Sequence, residues 1–471
     1  MATVGAVSPT TAPPDPAAGP DPRRVATAAW VGVALAVVVL VLTFWLPHLL
    51  SIETYSRTRY PGEDLVPPLR GYLEVKAVGF RTLRVVLVGV LAWLFLPRVA
   101  ATARWPVLLA ASYAVGLVWL LGLAYVDGSE GLSRVEDMPG EYLNTARVVT
   151  DVPAMLDGFV GGITYGQPDS WTTHVAGHPP GALLFVVLLV RLGIDTSFGV
   201  GLAMTLVGAA AVPGVLVALR ALGAEATARR VLPFLVLTPA AVLMAVSADA
   251  VFTTVAAWGL ALLALAATAA SRRRMVAWSL LAGLVLGLSV FMSYGLVLMG
   301  LVALAVLAAA RSWRPLPWAV GGALVVVVVF GAFGFWWWES YAAVHDRYFA
   351  GLGGKRPQSY WVWGNAGALL VSAGPVLAAA LACCLPGVRA TLRAAVSERR
   401  TTVLLALSAA LAVLAADLSG MSKSEVERIW LPWVPWLLVS TALLPARWHR
   451  PALAVQVTSG ILLQQLVFTQ W

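Results

Sequence analysis

Two histidines stand four residues apart before a double proline, in the stretch HVAGHPPG that runs from His174 to Gly181. The apolar run ALLFVVLLVRLGI follows directly. An imidazole can hydrogen-bond a ligand, bind a metal or exchange a proton near neutral pH. Hydrogen bonding to a polar ligand, a structural role and metal binding are therefore all open for His174 and His178. We favour hydrogen bonding, because the prolines disfavour a helix that would hold both rings against one ion.

Acidic and basic residues that could act with these histidines lie in polar segments between apolar runs. A carboxylate within hydrogen-bond reach can take the proton of an attacking hydroxyl group, and the candidates for that role are Asp127, Asp137 and Glu141. A fixed cation stabilises negative charge that develops during a reaction, and arginine can grip a phosphate group in two places. The candidate ligand-binding residues are His174, His178, Asp249, Lys355, Arg356 and Arg428.

Simpler interpretations stay open for some of these residues. Asp249 stands between two apolar runs, where it could equally cap the following helix. Arg428 precedes a span, where it could be an anchor whose charged end reaches the interface. Lys355 and Arg356 follow the stretch GLGG, and we expect these glycines to give a flexible backbone that lets both cations approach an anion.

The composition predicts a helical protein that crosses a membrane many times. Of the 471 residues, 60% are hydrophobic and 12% are charged, and the mean hydropathy is +0.83. A spanning helix needs roughly 20 apolar residues, and its backbone must be hydrogen-bonded within the element. Runs of this kind recur, whereas the alternation with a period of two that a barrel needs does not. We predict an all-α fold with about thirteen transmembrane helices, each long enough to span, near residues 26–47, 79–97, 105–125, 197–219, 230–246, 250–270, 275–291, 295–310, 316–337, 364–386, 401–417, 429–446 and 451–468.

The chain divides into four parts in this interpretation. Residues 1–25, rich in Pro, Ala and Thr, are predicted to be a disordered cytoplasmic tail. Residues 26–104 hold two N-terminal spans, residues 105–446 form the main transmembrane unit, and residues 447–471 hold the last span. The main unit has long polar loops at residues 126–196, 338–363 and 418–428.

The distribution of charge orients the helices. With the N-terminus inside, the arginine-rich loops RALGAEATARR and SRRR both fall inside only if the short helix 181–194 does not cross, so we treat it as re-entrant or interfacial. All acidic residues except Asp15, Asp21, Glu225 and Glu398 then lie on or near the outer face. The formal charge of +9 reflects these orienting arginines and does not indicate a nucleic-acid partner.

The first outer loop is patterned. Its stretch EYLNTARVVTDVPAMLDGFV has apolar residues at helical spacing, which predicts one or two amphipathic juxtamembrane helices. Cys383 and Cys384 are adjacent in an apolar run, and we interpret them as packing residues, since neighbouring cysteines of this kind form neither a metal site nor a disulfide framework. We expect no cofactor, and a divalent metal at the histidines is not favoured.

Four of these features, in this order along residues 105–445, resemble the GT-C glycosyltransferases. Those are multi-span enzymes that take a sugar from a polyprenyl-phosphate carrier outside the cytoplasmic membrane. GEYLNTA, in the acidic loop, looks like the family's acid followed by xxYxxxA, and HPPG resembles its turn into a juxtamembrane helix. Pro239 with Asp249 resembles the pair before a hairpin broken here at Ser293-Tyr294, and ERIWLP, with Arg428, is similar to ERYllP.

The resemblance implies an inverting glycosyltransferase. It would move a sugar from a polyprenyl-phosphate donor in the membrane lipid to a cell-envelope glycan or lipid-linked acceptor, on the extracytoplasmic face of the cytoplasmic membrane. GHPPG and SEVERIWLP look most like actinobacterial transferases that decorate envelope glycans, such as methylthioxylose, mannosyl or arabinosyl transferases. The sequence departs from the family where a paired DE is spread over Asp137 to Glu141, which leaves the base open, and where two spans precede the core.

Two other classes of protein remain open. A transporter or flippase for a lipid-linked glycan would explain many spans and amphipathic outer loops, although transporters usually bury ionisable residues near the midplane and contain inverted repeats. A structural subunit of an envelope-synthesis complex would leave the outer acids without a chemical role. Substitution of Asp127, Asp137 and Glu141, one at a time, discriminates these classes from an enzyme.

Overall fold

A computed structural model describes residues 20–56 and 68–469, and the protein is helical over most of that length. Most of the predicted tail, residues 1–25, lies outside the described residues, and the first helix begins at Pro22. Asp21 caps this helix by accepting the N–H of Arg23 at 2.9 Å. Proline suits the first helical position because that position has no intrahelical use for an N–H group.

The first part of the chain forms three long helices and one short strand. They are α1 (Pro22–Leu49), β1 (Gly71–Leu73), α2 (Phe80–Thr102) and α3 (Trp105–Ala124), and a 3-10 turn extends α3 over Tyr125–Asp127. The helices coincide with the predicted spans 26–47, 79–97 and 105–125. Their position in sequence was predictable because each contains a long apolar stretch, although α2 also carries Arg81 and Arg84 near its start.

Short helices fill the predicted loop 126–196. They are α4 (Glu130–Ser133), α5 (Tyr142–Val148), α6 (Val152–Asp157), α7 (Thr173–Gly177) and α8 (Pro180–Arg191), with a 3-10 turn at Gly161–Ile163. Two helices, α5 and α6, are present in the stretch where one or two were predicted, and their position at the membrane surface stays a prediction. Asp151 caps α6 by accepting the N–H of Ala154 at 3.0 Å. The helix after the double proline, α8, has 12 residues, which is shorter than a spanning helix requires.

The middle of the chain forms eight helices and a 3-10 turn at Tyr294–Leu298. The helices are α9 (Ser197–Gly208), α10 (Ala211–Ala221), α11 (Glu225–Val236), α12 (Ala241–Met244), α13 (Ala248–Ala267), α14 (Arg272–Val290), α15 (Met299–Ala310) and α16 (Leu316–Ala332). The predicted span 230–246 is interrupted between α11 and α12. Pro239 lies in that gap, and proline disfavours helical backbone at the residue before it.

The next part contains two sharp bends. Its helices are α17 (Trp337–Ala350), α18 (Leu352–Lys355), α19 (Gln358–Ala373), α20 (Val376–Ala382), α21 (Val388–Arg393) and α22 (Glu398–Leu418). α17 is bent by 74° from α16, and α20 by 104° from α19. The predicted outer loop 338–363 is therefore largely helical, and α17 leaves the direction of the preceding span.

The last part consists mostly of short helical pieces. They are α23 (Val426–Ile429), α24 (Val434–Leu438), α25 (His449–Leu466) and β2 (Val467–Thr469), with 3-10 turns at Leu431–Trp433, Val439–Leu443 and Ala446–Trp448. The predicted span 429–446 is thus not one continuous helix. Pro432 and Pro435 each stand in the first turn of a new piece, where a missing N–H does no harm.

Seven helices within residues 20–56 and 68–469 are long and apolar enough to cross a membrane, where α9 and α10 count together as Ser197–Ala221. The number of spans rises to as many as nine if each of the two bent helix pairs counts as one span. The predicted polytopic helical architecture is confirmed, and the count of thirteen is not, because the other predicted spans are shorter, broken or less apolar. The spans differ in depth: 72% of the α13 window is buried against 17% for α1. α13 is therefore central, and α1 lies at the periphery.

A pair of strands adds to the helical fold. β1 and β2 are antiparallel, with Gly71 opposite Thr469. The pairing continues beyond the strands, because the N–H of Lys76 donates to the carbonyl of Gln465 at 2.9 Å. The all-α prediction did not include this pair, which fixes the segment before α2 against the end of α25.

Candidate functional site

Buried charged residues cluster where α13 begins. Arg428, on α23, pairs with Asp249, in the first turn of α13, with 3.3 Å between Nε and Oδ2. Arg428 is 4% exposed and Asp249 is 2% exposed. Ser247 takes the capping role that was open for Asp249, because its hydroxyl accepts the N–H of residue 249 at 3.0 Å. The carboxylate of Asp249 does not cap the helix; its Oδ2 pairs with Arg428 and also accepts the hydroxyl of Ser247 at 3.3 Å.

Glu141 and His174 form the second contact of this cluster. Glu141 precedes α5 and His174 lies on α7, and Nδ1 of the histidine is 2.5 Å from Oε1 of the glutamate. A backbone hydrogen bond from His174 to the carbonyl of Gly140, at 3.1 Å, holds the two segments together. Burial opposes ionisation of Glu141, but His174 and then Arg428 lower its pKa below the ordinary value. Glu141 is therefore an ionised carboxylate at neutral pH.

His178 contacts the residue next to Glu141. Its Nδ1 lies 2.8 Å from the hydroxyl of Tyr142 and 3.0 Å from the carbonyl of His174. Burial lowers the pKa of His178 to about 4, so the ring is neutral at pH 7. A neutral imidazole can donate from one nitrogen and accept at the other, and which nitrogen carries the proton depends on whether Tyr142 or the carbonyl is its partner.

The double proline positions these histidines by ending one helix and starting the next. Pro179 is extended, with φ −61° and ψ 160°, and Pro180 begins α8. The N–H of Gly181 then donates to the carbonyl of Phe291 at 2.8 Å, and a Cβ at Gly181 would lie 2.4 Å from that oxygen. The predicted turn is confirmed. Nδ1 of His174 contacts Glu141, and Nδ1 of His178 contacts Tyr142, so the two rings have different hydrogen-bond partners.

Two arginines hold the carboxylate of Glu425, which precedes α23. Arg70 Nη1 lies 2.9 Å from Oε2, and Arg356 Nη2 lies 3.5 Å from Oε1. The backbone N–H of Arg70 also donates to Oε1 of Glu427 at 2.7 Å. The loop between the first two spans therefore reaches the cluster that contains Arg428.

The carboxyl groups of the cluster have different protonation states. Burial opposes ionisation of Glu425, but Arg70, Arg356 and Arg428 lower its pKa to about 2. Burial raises the pKa of Glu427 to about 7. Burial, followed by the charges of Glu141 and Asp137, raises the pKa of Glu136 well above its ordinary value. Groups driven apart in this way are suited to separate acid and base roles.

Glu136 and Glu427 share a further feature. Each is buried, and within the described part of the chain the Oε2 atom of each has no hydrogen-bond partner. A protonated carboxyl can donate as well as accept a hydrogen bond. Each of these oxygens is therefore a buried polar atom whose hydrogen-bonding capacity the described residues leave unused.

Two of the three candidate bases lie outside the cluster. Asp127 contacts Lys76 at 2.8 Å, Arg134 at 3.8 Å and Gln464 at 3.1 Å, which ties the end of α3 to the strand segment and to α25. Asp137 is exposed and accepts a hydrogen bond from the hydroxyl of Ser197 at the start of α9. Among the three candidates, Glu141 is the one that contacts a histidine, and the charge of Arg428 helps to lower its pKa.

The GLGG stretch does not form the expected flexible loop. Its glycines enter α18, and a Cβ at Gly353 would lie 2.3 Å from the ring of Tyr348, so they permit close packing on α17. Lys355 is exposed, whereas Arg356 is buried and donates to the carbonyl of Lys423 at 2.5 Å. The two cations therefore diverge, and only Arg356 joins the cluster.

Several residues of the cluster were not identified from the sequence as candidate site residues. They are Arg70, Glu136, Tyr142, Glu425 and Glu427. Tyr142 and Glu427 belong to the quoted motifs GEYLNTA and ERIWLP, which was a usable signal. Glu136 adjoins a residue that was selected, and nothing in the sequence distinguishes the two. Arg70 lies in a different loop, and its pairing with Glu425 has no local signature.

No group of three or more His, Cys, Asp or Glu residues within the described ranges is placed to hold a metal ion. Cys383 and Cys384 are buried and free. The interpretation of these cysteines as packing residues agrees with that burial. The predictions concerning cofactors stay predictions.

Comparison with known proteins shows a similarity to one solved structure. No family model matches the chain, and no curated protein sequence is similar to it. Among solved structures, the chain is similar to ArnT from Cupriavidus metallidurans, whose crystal structure is bound to undecaprenyl phosphate. The identity is 18% and the TM-score is 0.43, and the aligned part covers 71% of this chain. It covers 60% of the ArnT chain, which is less than two thirds of that protein.

Proposed function

We propose that this protein is a membrane glycosyltransferase of the GT-C type. It moves a sugar from a polyprenyl-phosphate donor to a cell-envelope glycan or lipid-linked acceptor on the extracytoplasmic face of the cytoplasmic membrane. The observation that carries the proposal is an ionised, buried carboxylate, Glu141, beside a fixed cation, Arg428, in a protein with many spans. The order of the motifs GEYLNTA, HPPG and ERIWLP supports the same family.

In the proposed reaction, the acceptor hydroxyl attacks the anomeric carbon of the donor sugar. Glu141 takes the hydroxyl proton as the new glycosidic bond forms. The bond between the anomeric carbon and the phosphate oxygen breaks, and the electron pair leaves with polyprenyl phosphate. A single displacement of this kind inverts the configuration at the anomeric carbon.

Arg428 would stabilise the leaving phosphate. The donor phosphodiester carries one negative charge, and departure produces a phosphate with a second. A cation that is already in place therefore interacts more strongly with the transition state than with the bound donor. Asp249 and the surrounding acids raise the pKa of Arg428 against the effect of burial, so the guanidinium stays charged.

The histidines and protonated acids would bind sugar hydroxyls. His178 is neutral and can both donate and accept a hydrogen bond. Glu136 and Glu427 each offer a buried oxygen without a partner in the described residues. Their pKa values are raised, so Glu136 meets a ligand as a neutral acid, whereas Glu427, with a pKa of about 7, is neutral in about half of the molecules at pH 7.

The proposal is tested by comparing envelope lipoglycans from a deletion strain and its parent. We expect one sugar substituent to be missing from the deletion strain and to return with the wild-type gene. Glu141→Gln should fail to restore it, whereas Asp137→Asn, an exposed acid four residues away, should restore it. Identical glycan profiles from the deletion strain and the parent would favour a transporter or a structural subunit instead.

A further inference from the structure

We infer that Arg70 is a positioning residue: together with Arg356 it holds the carboxylate of Glu425 and so keeps the charge of Arg428 available to an anionic phosphate. The inference rests on the proposed function, since it concerns the binding of the donor's phosphate group. It brings the loop between the first two spans into the binding site. No contact between Arg70 and the phosphate is needed.

Glu425 and Arg428 lie within one turn, because the N–H of residue 428 donates to the carbonyl of residue 425 at 3.2 Å. Their charges are close enough to act on each other: Arg428 helps to lower the pKa of Glu425, and Glu425 helps to raise that of Arg428. Arg428 already pairs with Asp249. A Glu425 carboxylate without other partners would place a second negative charge beside Arg428 and so oppose an incoming anion.

The two arginines occupy both oxygens of that carboxylate. Nη1 of Arg70 lies 2.9 Å from Oε2 of Glu425, and Nη2 of Arg356 lies 3.5 Å from Oε1. Each arginine is itself anchored. The backbone of Arg70 donates to Glu427 at 2.7 Å, and the guanidinium of Arg356 donates to the carbonyls of Lys423 and Tyr55 at 2.5 and 3.3 Å. The carboxylate is therefore held from two directions by groups that have fixed positions.

The backbone before α23 is also held in an unusual conformation. Ser424 and Glu425 have φ values of 70° and 65°, in the left-handed region that residues with a side chain seldom adopt. Asn365 accepts the N–H of Ser424 at 3.2 Å, and Tyr348 accepts the N–H of Lys423 at 2.9 Å. Strained backbone of this kind persists where its surroundings impose it, and it often marks functional sites. The direction of the Glu425 side chain is therefore set by the surroundings.

Loss of Arg70 would act on Arg428 through charge. It removes one positive charge from the cluster, and it releases one oxygen of Glu425. Both changes make the potential at Arg428 less positive, and charges in a partly buried site interact strongly enough to alter affinity about tenfold. A second substitution that neutralises Glu425 removes the competing charge and should reverse the effect.

The test uses the purified full-length protein in lipid nanodiscs and measures its dissociation constant for undecaprenyl phosphate, with neutral undecaprenol as the reference probe. We expect Arg70→Gln to weaken binding about tenfold and Glu425→Gln not to weaken it. The double variant should bind within about threefold of wild type, because the two charges are coupled. Arg84→Gln, at an exposed position on α2, is the matched control and should leave binding unchanged.

The possible outcomes separate the two proposals. If the wild type binds undecaprenyl phosphate no better than undecaprenol, the proposed function and this inference both fail. If the wild type binds and Arg70→Gln binds equally well, only the inference fails. A double variant as weak as Arg70→Gln also overturns it, since a merely structural role predicts that result. If Arg70→Gln alone does not fold, recovery of folding and binding in the double variant supports the inference, and failure of both variants overturns it.

Discussion

Arg428 and Asp249 form an ion pair in which both side chains are buried, with 3.3 Å between Nε and Oδ2. The pair joins the short helix α23 to the first turn of α13, the most buried of the candidate spans. It therefore connects the proposed phosphate-binding arginine to the centre of the helix bundle. Both the stability of the protein and its proposed function should depend on this contact. Substitutions of the two residues can measure these two effects separately.

Asp249→Ala should lower the free energy of unfolding by about 3 kcal/mol, because it leaves a buried guanidinium without this carboxylate. Asp249→Asn combined with Arg428→Gln should recover part of that loss while sugar transfer stays abolished. Thermal unfolding and lipoglycan profiles of the complemented deletion strain measure the two effects. Asp346→Asn, on an exposed side chain, is the control for stability. A double variant that transfers sugar at the parental level would contradict the role of Arg428.

Asp127→Asn should reduce stability without abolishing function. The substitution removes the charge that balances Lys76 and weakens the link to Gln464, which is worth about 1–3 kcal/mol for a partly buried pair. Because Asp127 does not contact Glu141 or Arg428 in the described residues, glycan profiles should be restored. Complementation measured alongside the unfolding temperature checks this. Loss of the sugar at unchanged protein level would return Asp127 to the list of candidate bases.

Gly181→Ala should disrupt the docking of α8. A Cβ at this position would lie 2.4 Å from the carbonyl oxygen of Phe291, so the backbone must shift, at a cost of about 1–3 kcal/mol. Gly177→Ala is the matched control in the same motif, because no atom lies within 4 Å of its added Cβ. Unfolding temperatures of the two variants measure the difference. Equal temperatures would mean that α8 does not approach α14 this closely.

Glu427 should make stability fall as pH rises. Burial raises its pKa from the ordinary 4.5 to about 7 in the folded protein, so between these two values the folded state binds more protons than the unfolded state. Stability from this group is complete below about pH 4.5 and is lost as pH rises toward 7. Glu427→Gln should flatten the decline of the unfolding temperature between about pH 4 and pH 8, an interval that brackets the shift from 4.5 to about 7. Glu339→Gln, at an exposed residue, should leave the decline unchanged.

The sequence predicts where the long apolar elements of this fold lie. It does not predict whether each one forms a single continuous helix or several shorter pieces. Runs such as Pro22–Leu49 and Glu398–Leu418 can be recognised as spanning helices by their length and hydropathy. The predicted spans 230–246 and 429–446 have similar hydropathy but break into pieces. Prolines mark these breaks, yet Pro47 and Pro97 lie inside continuous helices, so proline alone does not decide the outcome.

The candidate site was predictable where a motif carried it. GEYLNTA and ERIWLP led to Glu141 and Arg428, and the structure brings them together. Asp137 was named as a candidate base and its neighbour Glu136 was not, although Glu136 is the buried side chain of the two, because adjacent side chains in a turn point in different directions. Arg70 contacts Glu425 and Glu427, which lie 355 and 357 positions later in the chain, and a pairing over such a distance has no local sequence signal.

The pairing of β1 with β2 links biosynthesis to the assembly of the site. Val467–Thr469 are synthesised long after Gly71–Leu73, so the segment that bears Arg70 and Lys76 is made before its partner strand exists. Gln464 joins Lys76 on Asp127, and it too belongs to this late part of the chain. We therefore expect the contacts that fix the segment bearing Arg70 to form only after α25 and β2 have been synthesised.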